Sequence, residues 1–256
     1  DQLLATQNPI CEGKTHLLDA TQPGNNQYTW YKDDMKIIGE SQSTYTVSEK
    51  GIYNVEVALG GTTCISEGKV TIEYAPLPVL NPTTLVQCDE NKDGKTIFNL
   101  AKADAILKGN DASLRTVFYY ETLADAESQE VAKSILNFTN YESLPKTIYA
   151  RVTNTFGCAN VTMLDLKISN NTLQNVDFSQ CDVDGLIDGF FKFNLKEVEG
   201  LVLQGLPSGL MVEFYESVND ALLQTNVLPY SYINKNINTS NIYARIINGA
   251  DCFGIS

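Results

Sequence analysis

The chain is poor in the residues that usually carry chemistry: one His, one Trp and three Met in 256 residues. A single His is a weak start for a zinc site, and no Cys-x-x-Cys pair supports it. The sequence has no Gly-x-Ser-x-Gly elbow, no His-Glu-x-x-His helix, no P-loop and no Gly-x-Gly-x-x-Gly opening a βαβ unit. That leaves none of the usual motif routes to an enzyme, so a non-catalytic chain is expected. Positive charge is short as well. Eighteen Lys and Arg face 31 Asp and Glu, for a net charge of −13. Phosphate neutralisation needs clustered cations, so nucleic acid is excluded as a partner. No apolar run approaches the roughly 18 residues needed to cross a bilayer as a helix. Hydrophobic residues still make up 43% of the chain, which is too many for a disordered acidic tail.

What is present is six cysteines, at 11, 64, 88, 158, 181 and 252. Read in order they form pairs separated by 53, 70 and 71 residues. The two similar separations prompt a search for a repeat. Gln87-Cys88-Asp89 recurs as Gln180-Cys181-Asp182, and Phe98-Asn99-Leu100 as Phe193-Asn194-Leu195. Tyr120 falls on Tyr215, Ile148-Tyr149-Ala150-Arg151-Val152 on Ile242-Tyr243-Ala244-Arg245-Ile246, and Cys158 on Cys252. The offset stays between 93 and 95 residues. Three modules follow: residues 1–75, then two homologous ones at 76–170 and 171–256. The proline-rich Ala75-Pro76-Leu77-Pro78 and the polar Ser169-Asn170-Asn171-Thr172 separate them. The last module stops four residues after its final Cys, whereas the middle one continues for eleven, so a fragment cut near its last strand is expected.

Modules this small bury only about 60–65% of their unfolded surface, and a cross-link closing 50–70 residues is worth roughly 4 kcal/mol. The expected bridges are Cys11–Cys64, Cys88–Cys158 and Cys181–Cys252, one within each module. The alternative is six buried thiols in a cytosolic protein. Disulfides persist outside the cytosol, so an extracellular or bacterial cell-surface location goes with the first reading.

Period-2 alternation dominates the chain. Tyr53, Val55 and Val57 alternate with polar neighbours, as do Val70, Ile72 and Tyr74, which predicts half-buried antiparallel strands. Gly60-Gly61 and Asn248-Gly249 are hairpin signals. Short helices should interrupt the strands, one capped by Asn99 over 100–108 and one by Asn194 with Glu197 three residues on. The fold class predicted is all-β: tandem antiparallel β-sandwiches with short helical turns.

Cys11-Glu12-Gly13, Tyr28-Thr29-Trp30-Tyr31, Gly51-Ile52-Tyr53-Asn54-Val55 and Cys64 make the first module resemble a bacterial immunoglobulin-like domain. The resemblance implies a buried Trp30 on the third strand and a tyrosine corner at Tyr53. Cys88, Asp93-Gly94, Phe98-Asn99-Leu100, Tyr149-Ala150-Arg151 and their partners make the other two modules resemble repeats of long secreted Bacteroidota proteins. Such proteins commonly end in a gliding-motility-associated sorting domain for type IX secretion. The resemblance implies secretion and contact with the type IX machinery. It implies a cell-surface adhesin region acting as stalk or adhesive surface, with a surface polysaccharide as a conceivable ligand. An accessory region of a polysaccharide-degrading enzyme and a component of a motility or secretion assembly are the competing readings.

The sharpest chemical motif is Asp89-Glu90-Asn91-Lys92-Asp93-Gly94, the first half of a calcium loop. Leu100 replaces the twelfth-position Glu, so an EF-hand is excluded. Candidate calcium ligands are Asp89, Asn91 and Asp93, and in the longer loop of the last module Asp182, Asp184 and Asp188. An Asx-rich turn without metal is the plain alternative. Arg151 and Arg245 share a strand face with Tyr149 and Tyr243. The expected role is an Arg stem packed on Tyr beside a surface carboxylate. Tyr31 and Tyr45 are conceivable sugar-stacking residues or ordinary strand aromatics.

Overall fold

The fold was obtained as a computed structural model, which describes residues 9–60, 63–183 and 185–256. The regular structure of the chain is mostly β, and the chain divides into two compact units. One holds the chain up to Pro78 together with Ser113–Arg115 and Thr153–Asn160. The other holds Val79–Ala112, Thr116–Val152 and Val161–Ser256.

The first unit is built on strands β1 (Ile10–Cys11), β2 (His16–Asp19), β3 (Gln27–Lys32), β4 (Met35–Lys36), β5 (Thr44–Val47), β6 (Gly51–Ala58), β7 (Ile65–Ile72) and β8 (Tyr74–Ala75). A four-stranded sheet in the order β4-β3-β6-β7 faces the β2-β5 pair. β1 pairs in parallel with β8, so that Cys11 lies beside Ala75. This is an immunoglobulin-like sandwich, and its core is the inward half of each alternation: Leu18, Trp30, Val47, Tyr53, Val55, Val57, Val70 and Ile72. Trp30 is fully buried, and its indole N–H donates to the Gln42 carbonyl at 2.8 Å. The Tyr53 hydroxyl donates to the Glu49 carbonyl at 2.9 Å, which is the expected tyrosine corner. The β6–β7 hairpin passes close to Asn25. A Cβ on Gly60 would stand 2.0 Å from that carbonyl oxygen, so only glycine fits. Gly61, the other half of the predicted turn, lies outside the described residues.

The two homologous modules share most of their elements, although among the described residues the second has no counterpart to the strand that opens the first. The first comprises β9 (Thr83–Cys88), β10 (Thr96–Phe98), a 3-10 turn at Leu100–Ala103, α1 (Asp104–Leu107), β11 (Val117–Tyr120), α2 (Leu123–Ser128), β12 (Tyr141–Ser143), β13 (Lys146–Thr153) and β14 (Ala159–Ser169). The second comprises β15 (Lys192–Asn194), α3 (Leu195–Val202), β16 (Met211–Tyr215), α4 (Val218–Leu223), β17 (Ser231–Ile233), β18 (Tyr243–Asn248) and β19 (Asp251–Ile255). Phe98 pairs across from Tyr141 as Phe193 does from Tyr232, and Tyr120 from Tyr149 as Tyr215 does from Tyr243. The helix ends repeat too. The Thr122 and Ser217 side chains accept from the backbone N–H groups of Asp125 and Asp220, and Gln129 and Gln224 close both helices in the left-handed conformation.

The capping expectations split. Asn194 caps α3, accepting from the Lys196 N–H at 3.2 Å, while its amide donates to Glu197. Asn99 makes no such bond. The segment it precedes is a 3-10 turn running into one α-turn, not a continuous helix.

Candidate functional site: the reach-back staples

The expected disulfides are wrong in every pairing. Cys11 bonds to Cys158 and Cys88 to Cys252. Cys64 and Cys181 are exposed and belong to neither bridge. Strand geometry explains the failure. Cys64 precedes β7 while Cys11 sits beside Ala75 beyond its far end, and eight residues at ~3.3 Å each span about 26 Å. Cys158 precedes β14, whereas Cys88 is paired with Ser169 at the other end of that 11-residue strand, about 36 Å away by the same rise. A disulfide needs Cα atoms within roughly 7 Å. The observed pairs lie 5.4 and 5.5 Å apart.

Each bridge therefore joins the first strand of one module to the last hairpin of the next. The supporting contacts repeat this reach-back. In the first unit, the tip of the β13–β14 hairpin grips the proline linker. Asn154 donates to the Pro76 carbonyl at 2.8 Å and Asn160 to that of Pro78 at 3.0 Å. The Asn154 side-chain oxygen also accepts the Cys158 N–H, setting the turn that carries the bridge.

In the second unit β19 grips the other linker. The Phe253 carbonyl accepts from Ser169 and Asn171, and Ser256 donates to the Gln174 carbonyl. Gly254 lies so close to the linker that a Cβ would stand 2.6 Å from Leu173. Asp251 accepts the Val86 N–H. Cys88, Tyr215, Ala221, Leu222, Cys252 and Ile255 form one apolar cluster around the Cys88–Cys252 bridge, drawn from both modules.

Gln87 and Arg245 make the polar part of this junction. The Gln87 amide donates to the carbonyls of Ile97, in its own module, and of Leu222, in the next. Its oxygen accepts from the Cys88 N–H and from the Arg245 guanidinium at 2.7 Å. The same guanidinium nitrogen donates to the Ala221 carbonyl. Arg245 is only 2% exposed, so the expected surface Arg–carboxylate arrangement does not hold at this position. Burial pushes its pKa down to about 10, against the pull of Tyr215, Glu213 and Asp251, and it stays charged at neutral pH. Burial, reinforced by a hydrogen bond to Glu213, pushes the Tyr215 hydroxyl up. Arg151 is half-buried in the first repeat. The cavity beside Gln87 and Arg245 is about 20 Å³, room for a single water molecule.

The acidic loops are turns. Both Asp89 oxygens accept backbone N–H groups, from Lys92 and Gly94. Both Asp93 oxygens are engaged, by Lys95 N–H and the Asn91 amide, and Asn91 in turn accepts from Asp93 N–H. Asp182 accepts from Gly189 and Asp188 from Phe190, while Asp184 lies outside the described residues. Among the described residues no three His, Cys, Asp or Glu converge as a metal site would require. The Tyr31 hydroxyl donates to Glu56, and the Tyr45 ring lies tilted against both Trp30 and Tyr53.

The three N-terminal domains of the bacteriophage RB49 outer capsid protein Hoc are 12% identical, at TM-score 0.35, over 97% of this chain and 93% of theirs. The insect immune protein hemolin is 10% identical, at TM-score 0.30, over 65% of this chain and 46% of its own. The Ig1-2 module of the Drosophila receptor phosphatase DLAR is 9% identical, at TM-score 0.24, over 65% and 96%. No curated protein matches the chain in sequence. The family model for the Flavobacterium inter-domain disulphide bond domain matches residues 84–173 and 177–256.

Proposed function

The chain belongs to the Flavobacterium inter-domain disulphide bond family, and we propose that it is the stalk region of a secreted bacterial cell-surface adhesin. The observation that carries this reading is the reach-back staple. A disulfide and a set of side chain-to-linker hydrogen bonds recur at both joints, each set placed where it can stop the linker from flexing. Such bonds persist in an oxidising compartment, which puts the protein outside the cytosol. Tandem immunoglobulin-like modules with locked joints suit projection of a surface away from the cell, and export by the type IX route fits the resemblance of the repeats. The role asks for rigidity, and no residue is assigned to catalysis.

Small-angle scattering of the oxidised and the reduced protein tests the role. The oxidised chain is expected to give one narrow distribution of dimensions, and reduction to broaden it. Identical profiles before and after reduction would overturn the locked-joint reading.

A further inference from the structure

Arg245 is the only fully buried charged side chain among the described residues. The acceptors it reaches are neutral, the Gln87 side-chain oxygen and the Ala221 carbonyl. Its Nε has no acceptor among the described residues. A charge buried on neutral oxygens is a poor source of stability, because no ion pair offsets its desolvation. It is a good source of selectivity, because a shifted register would leave it stranded. The contact also runs both ways. Gln87 accepts from Arg245 and gives its amide to the Leu222 carbonyl, so one side chain of the middle repeat meets a donor and an acceptor of the last. Neither bond involves a sulfur.

The middle repeat does not share this set. Glu213 pairs across from Arg245 and takes the Tyr215 hydroxyl, whereas Phe118 pairs across from Arg151 and the buried Tyr120 hydroxyl has no acceptor among the described residues. Arg151 is half-buried, and Ile10, not Gln, precedes Cys11. The two homologous hairpins thus carry a bridging Cys at the same place behind different side chains.

We propose that the Arg245–Gln87 contact is a recognition site that seats the last repeat on the middle one without help from the bridge, and so selects Cys252 as the partner of Cys88. This goes beyond the stalk role, since it concerns how the joint chooses its partner and holds whatever the array projects. Seating brings Cys88 and Cys252 together before any oxidant acts. With oxidised glutathione as the oxidant, the Cys88 thiolate attacks it and releases one thiol. The Cys252 thiolate then displaces the second, leaving the protein disulfide and two reduced thiols.

The Val86 N–H reports on the seating, because it donates to Asp251 of the last repeat. The test uses the full chain with Cys88→Ala and Cys252→Ala, read by residue-resolved hydrogen exchange. The Val86 amide is expected to stay protected without the sulfurs. Adding Arg245→Met is expected to lower its protection about tenfold, the effect of losing a hydrogen bond to a charged group, while the amides of β16 hold theirs. Loss of Val86 protection on removal of the sulfurs alone would overturn the proposal, as would protection unmoved by Arg245→Met. If Arg245→Met unfolds the last repeat, Gln87→Leu decides, since it leaves that repeat's sequence intact. Loss at Val86 with β16 still protected supports the site, and no loss refutes it. Selection is read with all six cysteines present, by refolding the reduced chain in a glutathione buffer and mapping peptides without reductant. Arg245→Met is expected to lower the ratio of Cys88–Cys252 to the other bridges of Cys88 about tenfold. Arg151→Met is expected to leave Cys11–Cys158 as it was. An unchanged ratio at Cys88, or an equal loss at Cys11 from Arg151→Met, would overturn selection by this contact.

Discussion

The N-terminal sandwich and the junction between the two repeats solve the same problem differently. The sandwich closes on itself. Its core is drawn from its own strands, around one Trp and one tyrosine corner. The repeats share a core cluster and bury a charged side chain between them, so part of what stabilises each is contributed by its neighbour. A small module can thus be completed by the next in line, and a staple placed at such a shared surface acts on the joint as well as on the fold.

The comparison breaks most sharply at Trp30. Trp30→Ala should destabilise the first unit by about 3–5 kcal/mol, as for other fully buried Trp side chains. The protection of β11 and β16 in hydrogen exchange should be unchanged. Loss of protection there would mean that the sandwich is not self-contained. Removing the Cys88–Cys252 bridge by replacing both residues with Ala should have the reverse pattern. It is expected to cost the second unit about 2–4 kcal/mol, since it frees a long loop in the unfolded chain, and to leave the Trp30 fluorescence transition in place. A smaller effect is expected from Arg245→Met, which keeps the stem and removes the guanidinium. Gln87 and Ala221 then lose a donor, for about 1–3 kcal/mol in chemical denaturation. A neutral or stabilising outcome would show that Arg245 serves recognition between modules at no benefit to stability, as some buried charges do.

Much of this was readable in advance. Trp30, the Tyr53 corner and the alternation of β6 and β7 follow from local pattern, because period-2 burial is a property of one strand and its two faces. The internal repeat was equally plain, and its strand landmarks from Phe98 and Phe193 onward land on equivalent structural positions, down to the helices after Tyr120 and Tyr215. Pairing of the cysteines was not readable. Linear order suggests neighbours in sequence, but a cysteine at each end of a long strand cannot meet its sequence neighbour. Arg245 was seen as an element of the repeat and misplaced at the surface, since nothing in Tyr-Ala-Arg says which face the next module covers. Asp89-x-Asn91-x-Asp93-Gly94 reads equally well as a cation loop or a turn. The backbone conformation aims N–H groups at the carboxylates.

The amino-acid order alone settled the all-β class and the presence of two copies of one motif. These depend on periodicity and recurrence, which are one-dimensional properties. Tertiary structure alone decided which sulfurs join and which side chains are buried between modules, because a bond across ~5.5 Å depends on where whole strands begin and end in space.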